Sequence, residues 1–297
     1  MKYIIEKQDE NLKIRDFLRK NKVSSNLLKR LKRLPNGIMV NQEHQNVTYV
    51  LKEKDVLELN IDDFDDDENE FLVPTDIPIE IIFENDDITV VNKPSNMPTH
   101  ESLNNRGNSL ANALKYRYRD KAYVFRATNR LDKDTSGVVI TANNRFYASL
   151  LSSKIKNNEV EKSYLAVVSG KLEGDGVINA PIDRVGKSII KRTVREDGEE
   201  AITHYKSLIS TSEASLVLLT PKTGRTHQLR VHLSYINHPI IGDYLYGNES
   251  ALISRQALHC YKMDVKDVGC YKAPLFPDMI SLINHYFGEI SLDKYLD

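Results

Sequence analysis

Two clusters in this chain combine charged side chains and turn-forming residues at spacings that could support catalysis. The first is Asn129-Arg130-Leu131-Asp132-Lys133-Asp134-Thr135-Ser136-Gly137, where Asp132 lies between two cations shortly before an apolar run. A neighbouring cation favours the ionised carboxylate, which can then act as a nucleophile or a base. Ion pairs outnumber catalytic carboxylates, so the residues alone leave a structural and a catalytic Asp132 both open.

The second cluster is Thr223-Gly224-Arg225-Thr226-His227-Gln228-Leu229-Arg230-Val231-His232, at the start of a helix predicted from Thr226 to Ile236. Arg230 follows Thr226 and His227 by one helical turn, so its side chain should return to their face. A guanidinium there could pair with a carboxylate, and a solvated helix arginine is the simpler alternative.

Metal and cofactor sites have little support in the sequence. His227, His232 and His238 follow each other by five and six residues without a nearby acid, which is not the spacing of a zinc site. Cys260 and Cys270 form no C-x-x-C pair, and the chain has neither a dinucleotide fingerprint nor a P-loop. We expect no metal and no organic cofactor.

Two further segments, one with Lys93-Pro94 and one with Lys162-Ser163-Tyr164, complete an ordered set of four. This set resembles the K-P, R-L-D-x-x-T-S-G, K-x-Y and T-G-R-T-H-Q-L-R motifs of the RluA/RluD-type pseudouridine synthases. The similarity continues through the Gly242-Asp243 and Tyr246-Gly247 pairs and residues 255–259, and so covers nearly all of residues 71–290. One departure is Asn129, where the family usually has His before R-L-D.

The resemblance implies an enzyme that isomerises uridine to pseudouridine in RNA after lifting the base out of the stack. Asp132 would be the catalytic carboxylate, either attacking C1′ or removing a ribose proton, and Arg230 would pair with it. Tyr164 would pack against the target base. Stacking is its expected role, because a phenol of ordinary pKa, about 10, is a poor base at neutral pH.

Further residues are expected to contact RNA. The resemblance implies that Arg130 enters the space left by the flipped base, and that the RNA path is lined by Lys93, Lys222, Arg225 and His227. The N-terminal region adds a predicted helix whose leucines face inward and whose exposed face carries Lys29, Arg30, Lys32 and Arg33. A second basic stretch, residues 187–195, is by default a solvated surface, and a phosphate-contacting loop is the alternative for a catalytic domain that acts on RNA.

A chain of 297 residues is long enough for two domains. Residues 1–61 read as an ααβ-type unit that resembles the S4 RNA-binding domain. Residues 62–74 read as a linker, because seven of the nine residues from Asp62 to Glu70 are acidic. Residues 75–297 contain many short strands and few helices, which predicts an α+β catalytic domain with a mixed or antiparallel sheet.

The interpretation is therefore a monomeric, cytoplasmic RNA pseudouridine synthase acting on ribosomal RNA, with transfer RNA as the alternative substrate. A membrane span is not expected, because no run of eighteen apolar residues exists. Two other classes stay open: an RNA-binding protein without catalysis, and a glycoside or phosphodiester hydrolase. A hydrolase would need a metal or a second carboxylate, for which Asp134 is the only close candidate.

Overall fold

A computed structural model describes residues 2–21, 23, 25–60, 72–102, 106–121, 123–186, 188 and 190–296, without the side chains of residues 25, 26 and 30. The predicted acidic linker falls, up to residue 71, outside these residues. The S4-like assignment of the N-terminal unit and the domain boundaries stay predictions.

The N-terminal unit packs two short helices against a small antiparallel sheet. Its described strands pair in the order β1-β4-β2-β3. The elements are β1 (Lys2–Ile4), α1 (Ile14–Lys20), α2 (Ser25–Leu31), β2 (Ile38–Val40), β3 (Glu43–His44) and β4 (Val56–Leu59).

Helix α2 has the predicted inward and outward faces. Leu27 and Leu31 are buried in the core of the unit, whereas Lys29 is exposed. Lys32 and Arg33 are exposed just beyond the helix end, which comes three residues before the last leucine of the pattern. The predicted basic face is thus present at three of its four residues, and the side chain of Arg30 lies outside the described part of the chain.

The rest of the chain builds one large sheet with helices against it, which confirms the predicted mixed α+β fold. Among the described residues nine strands join, in the order β5-β6-β7-β14-β8-β13-β12-β9, with β15 paired to β14. The strands are β5 (Glu80–Glu84), β6 (Ile88–Lys93), β7 (Ser136–Ala142), β8 (Val160–Ser169), β9 (Asp175–Asn179), β12 (Ile202–Ser210), β13 (Ala214–Pro221), β14 (Leu258–Val265) and β15 (Gly269–Lys272). A separate hairpin is formed by β10 (Ile182–Arg184) and β11 (Arg192–Val194).

Strands β7 and β14 pair in parallel in the centre of this sheet, whereas the pairs on either side of them are antiparallel. Their close approach depends on Gly137, at φ +115°, because a Cβ there would lie 2.2 Å from the carbonyl oxygen of Cys260. Gly137, the last residue of the Asn129–Gly137 cluster, is therefore needed to bring the loop that precedes β7 against the centre of the sheet.

In the part of the chain that the structure describes, four α-helices accompany the large sheet: α3 (Leu110–Arg117), α4 (Arg145–Lys156), α5 (Gln228–Tyr235) and α6 (Pro277–Phe287). Asn144 is the N-cap of helix α4, because its side chain accepts a hydrogen bond from the Tyr147 N–H. No helix in the described ranges is long and apolar enough to cross a membrane.

Helix α4 joins the two parts of the molecule. Phe146, on its first turn, is buried in the core of the N-terminal unit, and its ring lies edge-on to Tyr3 with centroids 6.4 Å apart. Ile155, on the last turn, lines the pocket described below. One helix therefore contacts both the core of the N-terminal unit and that pocket.

Removing the Phe146 ring should loosen this attachment. Phe146→Ala is expected to lower the free energy of unfolding in urea by about 3–5 kcal/mol, the usual cost of deleting a buried phenylalanine. Phe83→Ala is the matched control, because the Phe83 side chain on β5 is 40% exposed and should lose less than half as much. Equal losses for the two variants would show that Phe146 does not anchor the unit.

Candidate active site

The two chemical clusters of the sequence meet in one open pocket. It has a volume of about 410 Å³, within the ~300–1,000 Å³ range of small-molecule sites. Its walls come from the loop before β7, from β8, from the loop between β13 and α5, and from the end of α4. The residues that carry polar chemistry there are Asn129, Arg130, Asp132, Lys162, Tyr164, Thr223, Arg225, Thr226, His227, Gln228 and Arg230.

The loop that presents Asp132 is tied to β7 by Asn129. The buried Asn129 amide donates to the carbonyl of Val138 and accepts from the Ile140 N–H, at 3.1 and 3.0 Å. The Thr135 N–H then closes a turn on the Asp132 carbonyl at 3.1 Å. The residue that departs from the family pattern therefore shapes the loop through its amide.

Lys93 supports the same loop from the protein interior. The prediction that Lys93 contacts RNA is therefore wrong. Its side chain is fully buried, and Nζ donates to the carbonyls of Pro94, Met97 and Lys133 at 2.8, 2.7 and 3.2 Å. Burial lowers the pKa of Lys93 to about 7. The three acceptors favour the charged ammonium, because a neutral amine has only two N–H groups. The K-P lysine is a clamp between two loops and cannot reach a polyanion.

Arg230 connects Asp132 to a second carboxylate that the solvent does not reach. Its Nε and Nη2 atoms donate to the two oxygens of the fully buried Asp243 at 2.6 and 2.8 Å, and Nη1 lies 3.3 Å from Asp132 Oδ2. The carboxylates favour the charged guanidinium and raise the pKa of Arg230 despite its burial. Asp243 fixes the plane of the fork, so the free edge points at Asp132, whose side chain is 29% exposed.

Helix α5 begins two residues later than predicted, because His227 has a left-handed backbone (φ +58°) and is its N-cap. The His227 Nε2 atom lies 3.8 Å from Asp132 Oδ2, so the helix end and Arg230 still converge on the carboxylate. Left-handed backbone at a residue other than glycine is uncommon and is often found at functional sites.

The imidazole ring of His227 is held by Tyr246. The Tyr246 hydroxyl accepts from the Arg192 N–H at 2.9 Å and lies 2.8 Å from His227 Nδ1. This contact at Nδ1 orients the ring so that Nε2 lies on the side of Asp132. Burial lowers the pKa of His227, so the ring is neutral at pH 7.

Gln228 holds the loop between β13 and α5 in place. Its Oε1 accepts from the Thr223 hydroxyl and the Arg225 N–H, at 2.8 and 3.0 Å, and its Nε2 donates to the carbonyl of Ile202 on β12 at 3.0 Å. The side chain is buried, so every polar group of this amide is used internally. The glutamine of the motif is structural.

Tyr164 and Lys162 line the pocket from β8. Burial raises the pKa of Tyr164 well above its ordinary value, so the phenol stays protonated at neutral pH. That state is compatible with packing against a base and unsuited to accepting a proton. Burial also lowers the pKa of Lys162, a pocket residue for which the sequence predicted no separate role.

The other predicted RNA contacts divide between the pocket and the surface. Arg130, Arg225 and His227 line the pocket, and the first two are exposed. Arg225 pairs with Glu199. Lys222 lies outside the lining, on the surface, with Nζ 3.9 Å from Glu161. Lys29, Lys32 and Arg33 of the N-terminal unit also lie outside it.

Sequence reasoning missed Asp243 and Tyr246. Both stand in the tail segments that extended the family resemblance, but no spacing there shows that they contact Arg230 or His227. One physical signal existed: a buried arginine needs a compensating carboxylate, and Asp243 follows Arg230 by 13 residues in the chain.

Comparison with known proteins shows the family to which this chain belongs. The family model for RNA pseudouridylate synthase matches residues 87–235, half of the chain, and the chain belongs to that family. It is 38% identical over 270 residues to the uncharacterized RNA pseudouridine synthase YjbO of Bacillus subtilis, covering 88% of this chain and 94% of that protein. The predicted class of enzyme is confirmed.

Two other relatives support the same class. The ribosomal large subunit pseudouridine synthase D of Borreliella burgdorferi is 37% identical over 220 residues, covering 70% of this chain and 67% of that protein. The structure of human RNA pseudouridylate synthase domain containing 1 superimposes with a TM-score of 0.61 at 28% identity, covering 73% of this chain and 92% of that one.

The buried position of Lys93 leads to a prediction that separates a clamp from an RNA contact. Lys93→Met should lower the free energy of unfolding by about 2–4 kcal/mol, because three buried hydrogen bonds from the ammonium to backbone carbonyls are lost. The salt dependence of RNA binding by the folded protein should not change. Lys133→Met, at the exposed neighbouring position, should alter stability by no more than about 0.5 kcal/mol. A salt slope reduced by about 0.7–0.9 in Lys93→Met would show that this lysine binds a phosphate instead.

Proposed function

We propose that Asp132 is the catalytic carboxylate of this RNA pseudouridine synthase, with Arg230 as its orienting partner and Tyr164 as the surface against which the target uracil packs. The observation that carries this proposal is the position of Asp132. It is partly exposed in a pocket large enough for a nucleotide and is held by a guanidinium whose other edge is fixed.

The chemistry needs only what this site supplies. The C1′–N1 bond of the flipped uridine breaks, the base turns, C1′ bonds to C5, the C5 hydrogen leaves as a proton and N1 gains one. Asp132 either attacks C1′ as a nucleophile or takes a ribose proton, and both routes require the ionised carboxylate that Arg230 favours. Burial in the pocket wall raises the pKa of Tyr164 and keeps the phenol protonated, which is compatible with stacking on a base.

The carboxylate count argues against a hydrolase. Asp132 is the only acidic residue among the described residues that line the pocket. A glycoside hydrolase of the usual kind uses two carboxylates across the scissile bond. Asp134 does not line the pocket, and its carbonyl lies 3.4 Å from Arg255 Nη1 on the supporting side of the loop. Among the described residues, no group of three or more His, Cys, Asp or Glu could hold a metal ion.

The substrate we propose is large-subunit ribosomal RNA. Support comes from the activity named for the Borreliella burgdorferi relative and from the basic residues Lys29, Lys32 and Arg33, which are exposed on the N-terminal unit. Helix α4 holds that unit to the pocket, so one folded RNA can contact both. We propose that the unit acts as an S4-like phosphate-binding module.

Asp132→Asn tests the assignment of the carboxylate. The substitution is nearly isosteric, so folding and RNA binding should be retained, while tritium release from 5-tritiated uridine in transcribed large-subunit ribosomal RNA should stop. Asp134→Asn is the matched control, two residues away and outside the pocket, and should keep turnover within about tenfold, or 1.4 kcal/mol. Wild-type turnover by a folded Asp132→Asn protein would place the active site elsewhere.

The basic face of the N-terminal unit leads to a separate prediction. The double variant Lys29→Gln/Lys32→Gln should weaken binding to all RNAs alike and reduce the slope of log affinity against log salt by about 0.7–0.9 for each lysine–phosphate pair removed. Lys7→Gln/Lys52→Gln removes two exposed lysines of the same unit as a control. If both doubles leave the slope unchanged, this face is only solvated.

A further inference from the structure

A second pocket lies beside the active site, between the β10–β11 hairpin and helix α5. Its volume is about 340 Å³, which is also within the ~300–1,000 Å³ range of small-molecule sites. Two cations and no carboxylate lie among the described lining residues, which are Val185, Lys191, Arg192, Thr193, Val194, Val231, Ser234, Tyr235, Leu245, Tyr246 and Gly247. Such a lining favours an anionic ligand.

The pocket also offers an exposed aromatic ring. The side chain of Tyr235, the last residue of α5, is 58% exposed, although it borders a concave surface. Exposed rings next to cations are the usual features of single-stranded nucleic-acid binding, because every base can stack on an aromatic face while the cations contact phosphate. Lys191 is exposed and directly precedes β11, where its carbonyl accepts a hydrogen bond from the Val185 N–H at 3.1 Å.

The pocket shares a residue with the active site. Tyr246 lines it and also contacts both partners of Asp132: its hydroxyl lies 2.8 Å from His227 Nδ1, and its ring centroid lies 5.0 Å from Arg230 Cζ. The Arg192 N–H from the hairpin donates to the same hydroxyl. A ligand in this pocket therefore sits one side chain away from the residues that hold the catalytic carboxylate.

We propose that this pocket binds a second nucleotide of the substrate RNA, with its phosphate against Lys191 and Arg192 and its base against Tyr235. The proposal rests on the proposed function, since it takes the RNA from there. Proximity favours the substrate strand over a free nucleotide, because Tyr246 separates the pocket from the flipped uridine by one ring. The site would thereby select RNA by the conformation of the strand next to the target.

The test uses Tyr235→Ala and Lys191→Gln in the full chain, with transcribed large-subunit ribosomal RNA as the probe. Tyr235→Ala should raise KM and the Kd from filter binding about tenfold and leave kcat unchanged. Lys191→Gln should reduce the salt slope by about 0.7–0.9. The matched controls are Tyr244→Ala, whose side chain is 60% exposed nearby, and Lys266→Gln on the β14–β15 turn; both lie outside the pocket and should behave as wild type.

Wild-type Kd and salt slope in Tyr235→Ala and Lys191→Gln would overturn the proposal, and so would equal losses in the controls. Uridine monophosphate at millimolar concentration should not compete with RNA for the pocket. Competition that is seen with the wild type and is lost in Tyr235→Ala would mean that the ligand is a free nucleotide, which also overturns the proposal. Absence of tritium release from the wild type would contradict the proposed function instead, and the Kd comparison would still decide whether this pocket binds RNA.

Discussion

The arrangement of this molecule depends on one guanidinium that spans two carboxylates. Arg230 is buried and makes two short hydrogen bonds to Asp243, which solvent does not reach, and its remaining edge lies 3.3 Å from Asp132. Removing Asp243 would leave a buried, uncompensated arginine and would be strongly destabilising, and so would removing Arg230 from the buried Asp243. This buried pair therefore requires both of its members, and its geometry fixes the direction of the guanidinium edge that faces the partly exposed Asp132.

Several parts of the fold serve to bring these three residues together. Gly137 allows β7 to approach β14, so the Asp132 loop lies over the centre of the sheet. Lys93 and Asn129 then hold that loop from two sides through backbone groups. Gln228 anchors the loop before α5. This anchor fixes where the helix begins, and so where Arg230 lies. Lys93, which was predicted to contact RNA, is thus one of the internal supports of the site.

The sequence predicted the broad features for identifiable reasons. Hydrophobic patterns indicated helices α2 and α5 and a mixed sheet of many short strands, because burial enforces those periods locally. The resemblance pointed to Asp132, Arg230 and Tyr164 together, and the structure does bring them into one pocket. Lys93 was misjudged because a lysine at the end of a strand, directly before a loop, carries no local sign of burial. Asp243 and Tyr246 were missed because their partners lie elsewhere along the chain, and only the fold brings them together.

We propose that the planar fork of Arg230 holds Asp132 for catalysis, and the substitution Arg230→Lys is the sharpest test of that role. Lysine keeps the positive charge but cannot bond both oxygens of Asp243 and reach Asp132 at once. Turnover should be measured by tritium release at saturating RNA, beside the Kd and the melting temperature. A folded Arg230→Lys protein should bind RNA normally and lose about 100-fold in kcat, or about 2.7 kcal/mol. A folded variant with wild-type kcat would contradict the proposal.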